Sequence, residues 1–199
     1  HGDSIHYSTD SLGQGLLQVF HRVRIFRSDM QGVCDSLTYS TIDSTFRLFE
    51  DPALWSEKSQ MTGDTIHLEM RNQKMDSLKI IGNAFVLSLD TLDRFNQVRG
   101  KRMKGNFKNG ELWNMHSYGN GQTVYYAKEE DGDYIGVNRT DCSNIKMQFR
   151  NNEIHRVTFL IKPTSNLYPM DAVPDGEERI TGFNDRFKER PLNKLAVFD

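Results

Sequence analysis

The chain has 199 residues, with 25 Lys and Arg against 27 Asp and Glu, a formal net charge of −2 and a pI near 6.3. That length can bury a substantial core within one domain, and the near-neutral, interspersed charge argues against a nucleic-acid-binding face. No apolar run approaches the roughly 20 residues of a membrane helix, and no basic amphipathic helix stands out. The opening HGDSIHY has neither an initiator Met nor a signal sequence, which reads as a mature or trimmed chain whose signal peptide has been removed.

Along the chain, apolar residues recur with period two, the mark of half-buried strands. The clearest cases are Leu37 and Tyr39, Phe46 and Leu48, then Ile66, Leu68 and Met70, Val124 and Tyr126, and Ile145, Met147 and Phe149. Turn signals punctuate them at Asp51-Pro52, Gly63-Asp64, Gly82-Asn83, Asn109-Gly110, Asn120-Gly121 and Asp131-Gly132. Of these, Asn109-Gly110 within FKNGEL is the strongest tight-hairpin signal, since Asn-Gly accepts positive φ readily. Helix signals are confined to a short turn within Asp51–Gln60 and one helical turn over Asn184–Glu189. From Pro163 onward the chain carries four of its five prolines and few alternating pairs. The expected division is therefore a β-domain over 1–163 and an extended cap or linker over 164–199.

The chain also copies itself. IHLEMRNQKMDSLKI at Ile66–Ile80 aligns without a gap with IKMQFRNNEIHRVTF at Ile145–Phe159, including the Arg71-Asn72 pair against Arg150-Asn151. GDSIH at Gly2–His6 returns as GDTIH at Gly63–His67, and Asp-Ser-Leu recurs at Asp10, Asp35 and Asp76. A hairpin repeated along a chain implies a stacked all-β architecture with a long surface or groove, which does not by itself imply an enzyme.

No residue pattern marks a catalytic centre or a cofactor. The six histidines show no metal spacing such as HExxH, and His6 and His67 occupy equivalent strand positions that read as outward-facing. KEEDGDYIG at Lys128–Gly136 gathers acids but lacks the oxygen spacing of a calcium loop, so it reads as a charged hairpin tip. GNGQ at Gly119–Gln122 lacks the following helix that binds phosphate and reads as a turn. Cys34 and Cys142 lie far apart without metal spacing; they read as two separate buried thiols, with a disulfide as the alternative. No paired carboxylates are singled out for glycoside cleavage.

What remains is a bulky, soft inward set. Alternation turns Leu37, Tyr39, Phe46, Leu48, Ile66, Leu68, Met70, Leu78, Ile80, Phe107, Ile145, Met147, Phe149, Val157 and Phe159 to one side, where Met103 joins them. These residues either pack a core or line an apolar groove for acyl chains. Burying one CH₂ is worth about 0.8 kcal/mol, so a twelve-carbon chain gains on the order of 10 kcal/mol before ordering costs.

The segment GVCDSLTYSTIDSTFRLFEDPALW (Gly32–Trp55) followed by MTGDTIHLEM (Met61–Met70) resembles the organic-solvent-tolerance (OstA-like) and lipopolysaccharide-transport (LptA-like) β-jellyroll proteins of Gram-negative periplasms. The shared order is Gly32, Asp35, strands at Leu37–Tyr39 and Phe46–Leu48, Pro52, then Gly63-Asp64. MKGNFKNGELWNMHSYGNGQTVYY (Met103–Tyr126) is similar to the versions found in Bacteroidetes, and the resemblance spans Gly2–Pro163.

It implies a twisted, open β-jellyroll of about sixteen strands, folded like a taco, with no cofactor or catalytic residues. It further implies a periplasmic domain that shields lipopolysaccharide or another glycolipid in an apolar groove for outer-membrane biogenesis. Like domains would join it edge to edge, and membranes would be met only through partner proteins. The alternatives are a β-scaffold associating through its edge strands without lipid, or a carbohydrate-binding solenoid with Trp55, Trp113 and Tyr118 aligned on an outer face.

Overall fold

Alternation of apolar and polar side chains commits each run to one buried and one solvated face. In a computed structural model, the described residues are 1–91, 94–109, 111–150 and 153–198. Among them the chain forms thirteen strands: β1 Ser4–Thr9, β2 Gly15–Phe26, β3 Gln31–Ser40, β4 Thr45–Phe49, β5 Ala53–Ser56, β6 Ser59–Thr62, β7 Thr65–Arg71, β8 Lys74–Leu89, β9 Phe95–Lys108, β10 Glu111–Lys128, β11 Tyr134–Arg150, β12 Glu153–Leu160 and β13 Thr164–Pro169. Every pairing is antiparallel, along the path β1-β2-β3-β4-β7-β8-β9-β10-β11-β12. Beside it, β5 and β6 bridge β3 to β8, and β13 pairs with β11. The fold is all-β. Single 3-10 turns at Phe187–Glu189 and Leu195–Val197 interrupt the C-terminal segment.

Two expected turns are bends inside long strands: Gly82-Asn83 lies within β8, and Asn120-Gly121 lies within β10. Five pairs of consecutive residues take positive φ at such places: His21-Arg22, Glu50-Asp51, Gly82-Asn83, Gly119-Asn120 and Ile161-Lys162. Where the neighbouring strand is continuous, each pair opposes one residue. Phe20 pairs with Ser36 and Val23 with Cys34, Ile81 with Arg102 and Ala84 with Gly100, Tyr118 with Asn144 and Gly121 with Cys142. Two residues against one is a β-bulge, which bends a strand without ending its pairing. Because the bulges line up from β2 to β12, they crease the whole sheet. The described residues form thirteen strands where about sixteen were expected, and two of the expected turns are bulges, because a two-residue signal in the left-handed region serves a bulge as well as a hairpin.

The crease also explains the repeat. A Cβ on Gly63 would overlap Ile80 Cγ2 and stand 3.0 Å from the Gly82 carbonyl; one on Gly2 would overlap Val19 Cγ1 and stand 3.3 Å from the Phe20 carbonyl. Both glycines lie where the chain enters the crease. Asp3 then donates its backbone N–H to the Phe20 carbonyl at 3.0 Å, as Asp64 does to that of Gly82 at 3.0 Å.

The crease folds the sheet into two layers. One half holds β1, β4, β7 and β12 with the adjoining ends of β2, β3 and β8–β11; the other holds β5, β6 and β13 with the remaining ends. Their facing sides share one apolar cluster, with Leu48, Ile66, Leu78, Ile80 and Ile145 fully buried from the first half and Leu54, Met61, Val86 and Val98 from the second. A second cluster covers the outer side of the second half. There Phe85, Leu87, Val124, Tyr126 and Val137 pack under Ile180, flanked by Met170, Val173 and Phe183. Since β13 follows Pro163 and pairs with β11, the segment that leaves the sheet begins at Met170.

That segment is strapped down in order. Arg139 donates to the Arg179 carbonyl at 3.2 Å, Gln97 brackets Glu178 and Ile180, and Gln60 brackets Asn184 and Arg186. Arg190 donates to Gln31 Oε1 at 2.7 Å. Gln31, Trp55, Gln60, Leu87, Gln97, Val124 and Arg139 form one cross-strand row, so polar anchors alternate with apolar seats under the strap.

Candidate functional site

The space between the two half-sheets is the candidate site. All sixteen residues expected to face inward, Met103 included, lie in the first half-sheet, and all but Tyr39 belong to the single inner cluster. Leu37, Leu48, Ile66, Leu68, Leu78, Ile80, Ile145, Met147 and Phe149 are buried; Phe46, Met70, Phe107, Val157 and Phe159 are half-buried against them. Tyr39 stacks its ring on Phe46 at 4.3 Å. Flexible methionines fill the middle: Met61, Met75, Met103, Met115 and Met147 leave little surface exposed.

The layers part at both ends. Near β12 a cavity of about 270 Å³ opens between Ile154, Val157 and Phe159 of the first half and Asn96, Val98, Thr123, Tyr125 and Asn138 of the second. The Thr123 hydroxyl is the single buried side-chain polar atom without a hydrogen-bond partner among the described residues, and Thr123 lines this mouth. Near β1 a cavity of about 560 Å³ is lined by Ile5, Leu17, Val19, Val23, Ile25 and Leu37, with Val197 and Phe198 of the strap beside them. The cleft is thus tightly packed at its centre, with apolar mouths.

Sequence reasoning found the packed middle and missed most of the mouths. Val157, Phe159 and Leu37 were in the expected set; Val98, Thr123, Tyr125, Ile5, Leu17 and Ile25 were not. A signal existed for Ile5, which stands in GDSIH where Ile66 stands in GDTIH. The second half-sheet supplies few residues with clean alternation, because its outer side is also apolar under the strap.

Other expected features fall elsewhere. Trp55 is fully buried and donates its indole N–H to Gln60 at 3.3 Å, whereas Trp113 is 47 % exposed on β10. Trp55, Trp113 and Tyr118 therefore make no shared outer surface, which corrects the aromatic alignment a carbohydrate reading requires. KEEDGDYIG forms the tip between β10 and β11. His6 is exposed on β1, and His67 is half-buried on the outer side of β7. The Asn109-Gly110 turn, and the pairing of Asn72 with Asn151 in the repeat, involve Gly110 and Asn151, which lie outside the described residues.

Cys34 is buried and Cys142 partly buried, both as free thiols. Burial pushes the Cys34 thiol up to about 12, with the Asp35 charge acting in the same direction. On the outer side of the first half, Glu69 accepts from Lys79 and Ser77, which hold its carboxyl below the usual range.

No protein-family profile matches the chain, and no curated protein does. Among solved structures it is similar to the crystal structure of LptH, the LptA-homologous periplasmic component of the lipopolysaccharide transport device of Pseudomonas aeruginosa. The two are 12 % identical with a TM-score of 0.49, over 69 % of this chain and 100 % of that one.

Proposed function

We propose that the cleft binds the acyl chains of lipopolysaccharide or a related glycolipid and leaves the polar headgroup in solvent. On this reading the chain is a periplasmic carrier domain for outer-membrane biogenesis. The observation that carries it is the pair of apolar mouths, each opening onto a methionine-rich interior that can re-pack around an entering chain. The unpartnered Thr123 hydroxyl supplies one polar anchor at the β12 mouth. The glycolipid class comes from the resemblance of Gly32–Trp55 and Met61–Met70 to the lipopolysaccharide-transport family.

The end strands favour assembly with like domains. On β1, Ile5 and Tyr7 are 61 % and 65 % exposed, and the free backbone groups of β1, β12 and β13 can each template another strand. The same edges support the second reading, a scaffold that binds no lipid.

Displacement of a fluorescent acyl probe by lipopolysaccharide tests the proposal. Neighbours on β12 point to opposite sides, so Val157→Glu at the mouth should abolish displacement while Thr158→Glu should preserve it. Absence of saturable displacement by the folded chain, or equal loss in both variants, refutes the carrier reading. Leu68→Asp and Met147→Asp are poor tests, because both residues are buried and a charge there threatens the fold itself.

A further inference from the structure

The uncovered outer face of the first half-sheet carries a row of basic side chains. Strand register places Arg47 beside His67, His67 beside Lys79, Lys79 beside Lys104, Lys104 beside His116, and His116 beside Lys146. Six consecutive strands thus present a cation or an imidazole at about 4.8 Å intervals, a row about 24 Å long. Arg47 is paired with Asp43 and Lys79 with Glu69. Lys104 and Lys146 are exposed and form no ion pair among the described residues, although the Lys104 charge acts on the nearby Glu69 carboxylate.

The surroundings extend the row into a surface. On the crease side Ile81, 43 % exposed, stands in register with Arg102, whose guanidinium lies 5.4 Å from the centre of the adjacent Tyr118 ring. On the other side Arg156 is exposed on β12. Within 65–81, 102–118 and 144–160, the β7–β12 part of this half, the sequence has nine Lys and Arg against four Asp and Glu, whereas the β1–β4 portions at 1–20 and 35–50 have one against five. Acids gather in two other places: Asp171, Asp175, Glu177 and Glu178 stand within 171–178 with no base, and the β10–β11 tip adds four more within 129–133. The rest of the strap, 179–194, has five Lys and Arg against two Asp and Glu, so the strap as a whole is close to neutral. Near-neutral overall charge thus conceals a local basic stretch over β7–β12.

We propose that the basic face docks the domain on the surface of an anionic lipid bilayer. The charges spread over a sheet surface and are not gathered in a cleft, which suits a planar array of headgroup phosphates. Ile81, Arg102 and Tyr118 supply the mixed apolar and cationic character of an interfacial contact. Docking of this kind is direct, in contrast to the expectation that membranes are met only through partner proteins, and it does not depend on the occupancy of the cleft, whose β12 mouth Arg156 borders.

Flotation of the full chain with phosphatidylcholine vesicles, with and without phosphatidylglycerol, tests this. Binding is expected only to the anionic vesicles and should weaken as ionic strength rises. The double variant Lys104→Gln/Lys146→Gln should lower partitioning about 25-fold, roughly fivefold for each charge near the surface. Lys188→Gln/Lys194→Gln, an equal charge change on the strap, should leave it nearly unchanged, and Val157→Glu should still float. Equal thermal melting of the lysine variants secures their folding.

Failure to float with anionic vesicles at low ionic strength overturns the proposal, as does equal loss in the strap variant. Capture by a soluble polyanion, or self-association through the two outer faces, without vesicle binding also overturns it.

Discussion

Gln97 holds Ile180 from within the sheet: its carboxamide oxygen accepts the Ile180 N–H at 2.9 Å while its nitrogen donates to the Glu178 carbonyl at 2.7 Å. Both Gln97 and Ile180 are almost wholly buried. A strand side chain thereby satisfies a segment that has no secondary structure of its own to satisfy it. Gln60 repeats the arrangement for Arg186 and Asn184.

Gln97→Leu keeps the volume and removes both partners, leaving the buried Ile180 N–H and the part-buried Glu178 C=O unpaired. The buried N–H costs about 1–3 kcal/mol and the carbonyl, which water can reach, less, so the variant should lose about 1–4 kcal/mol of stability by urea denaturation. Limited proteolysis should then cut first between Met170 and Phe198. A loss under about 0.5 kcal/mol would mean the strap is not seated as described.

The crease makes its own prediction. Gly82 has φ +70°, and a Cβ there would overlap the Asp64 carboxylate, which itself accepts from Asn83 at 3.0 Å. Gly82→Ala should destabilise the chain by about 1–2 kcal/mol from backbone conformation alone, with crowding added. Gly13→Ala provides the comparison, since Gly13 has φ +76° and open space around it. If thermal melts show the same loss for both, the crowding at the crease is absent.

How legible this fold was in the sequence follows from the same elements. The inner face of the first half-sheet was readable because its outer face is polar, so Ile66, Leu68, Leu78 and Ile80 alternate cleanly. The second half-sheet is apolar on both sides beneath the strap, and Phe85, Val86 and Leu87 are consecutive and all buried. Period two vanishes in that stretch of β8, and in β10 the alternation of Val124 with Tyr126 marks the side under the strap, so Val98 and Tyr125 at the mouth carried no signal. Gly82-Asn83 was readable as a bend but not as a bulge, since that choice rests on whether the partner strand continues past it. The basic row was hidden for another reason: its members are scattered in sequence and meet only through register.

Acidification should weaken the outer face of the first half in two steps. Burial first, then the charges of Arg47 and Lys79, hold the His67 imidazole below its ordinary 6.5. The folded chain therefore takes up this proton less readily than the unfolded one. Its contribution is complete above pH 6.5 and is lost as pH falls through the lowered folded value. Glu69, held below 4.5 by Lys79 and Ser77, follows the same sign at lower pH: full above 4.5, lost on passing its folded value. Urea midpoints across this range should flatten in the first window for His67→Gln and in the second for Glu69→Gln. A His67→Gln profile parallel to the wild type throughout would show that the imidazole is not held neutral by its neighbours.

Thiol chemistry reports on the packing at the crease. Cys34 sits opposite Val23, where β2 and β3 resume pairing beyond the bulge, and burial raises its thiol to about 12. Burial also raises the Cys142 thiol above its ordinary value. Because the thiolate is the reactive form, both should resist alkylation at neutral pH in the native chain, Cys34 more strongly. Denaturant should release both for modification, and mass spectrometry should then count two labels without prior reduction. In Gly82→Ala, Cys142 and Cys34 should keep their order while both react sooner, as local opening of the crease becomes easier. Rapid labelling of native Cys34 would mean that the layers part at β2–β3, and the apolar interior would then be open well beyond its two mouths.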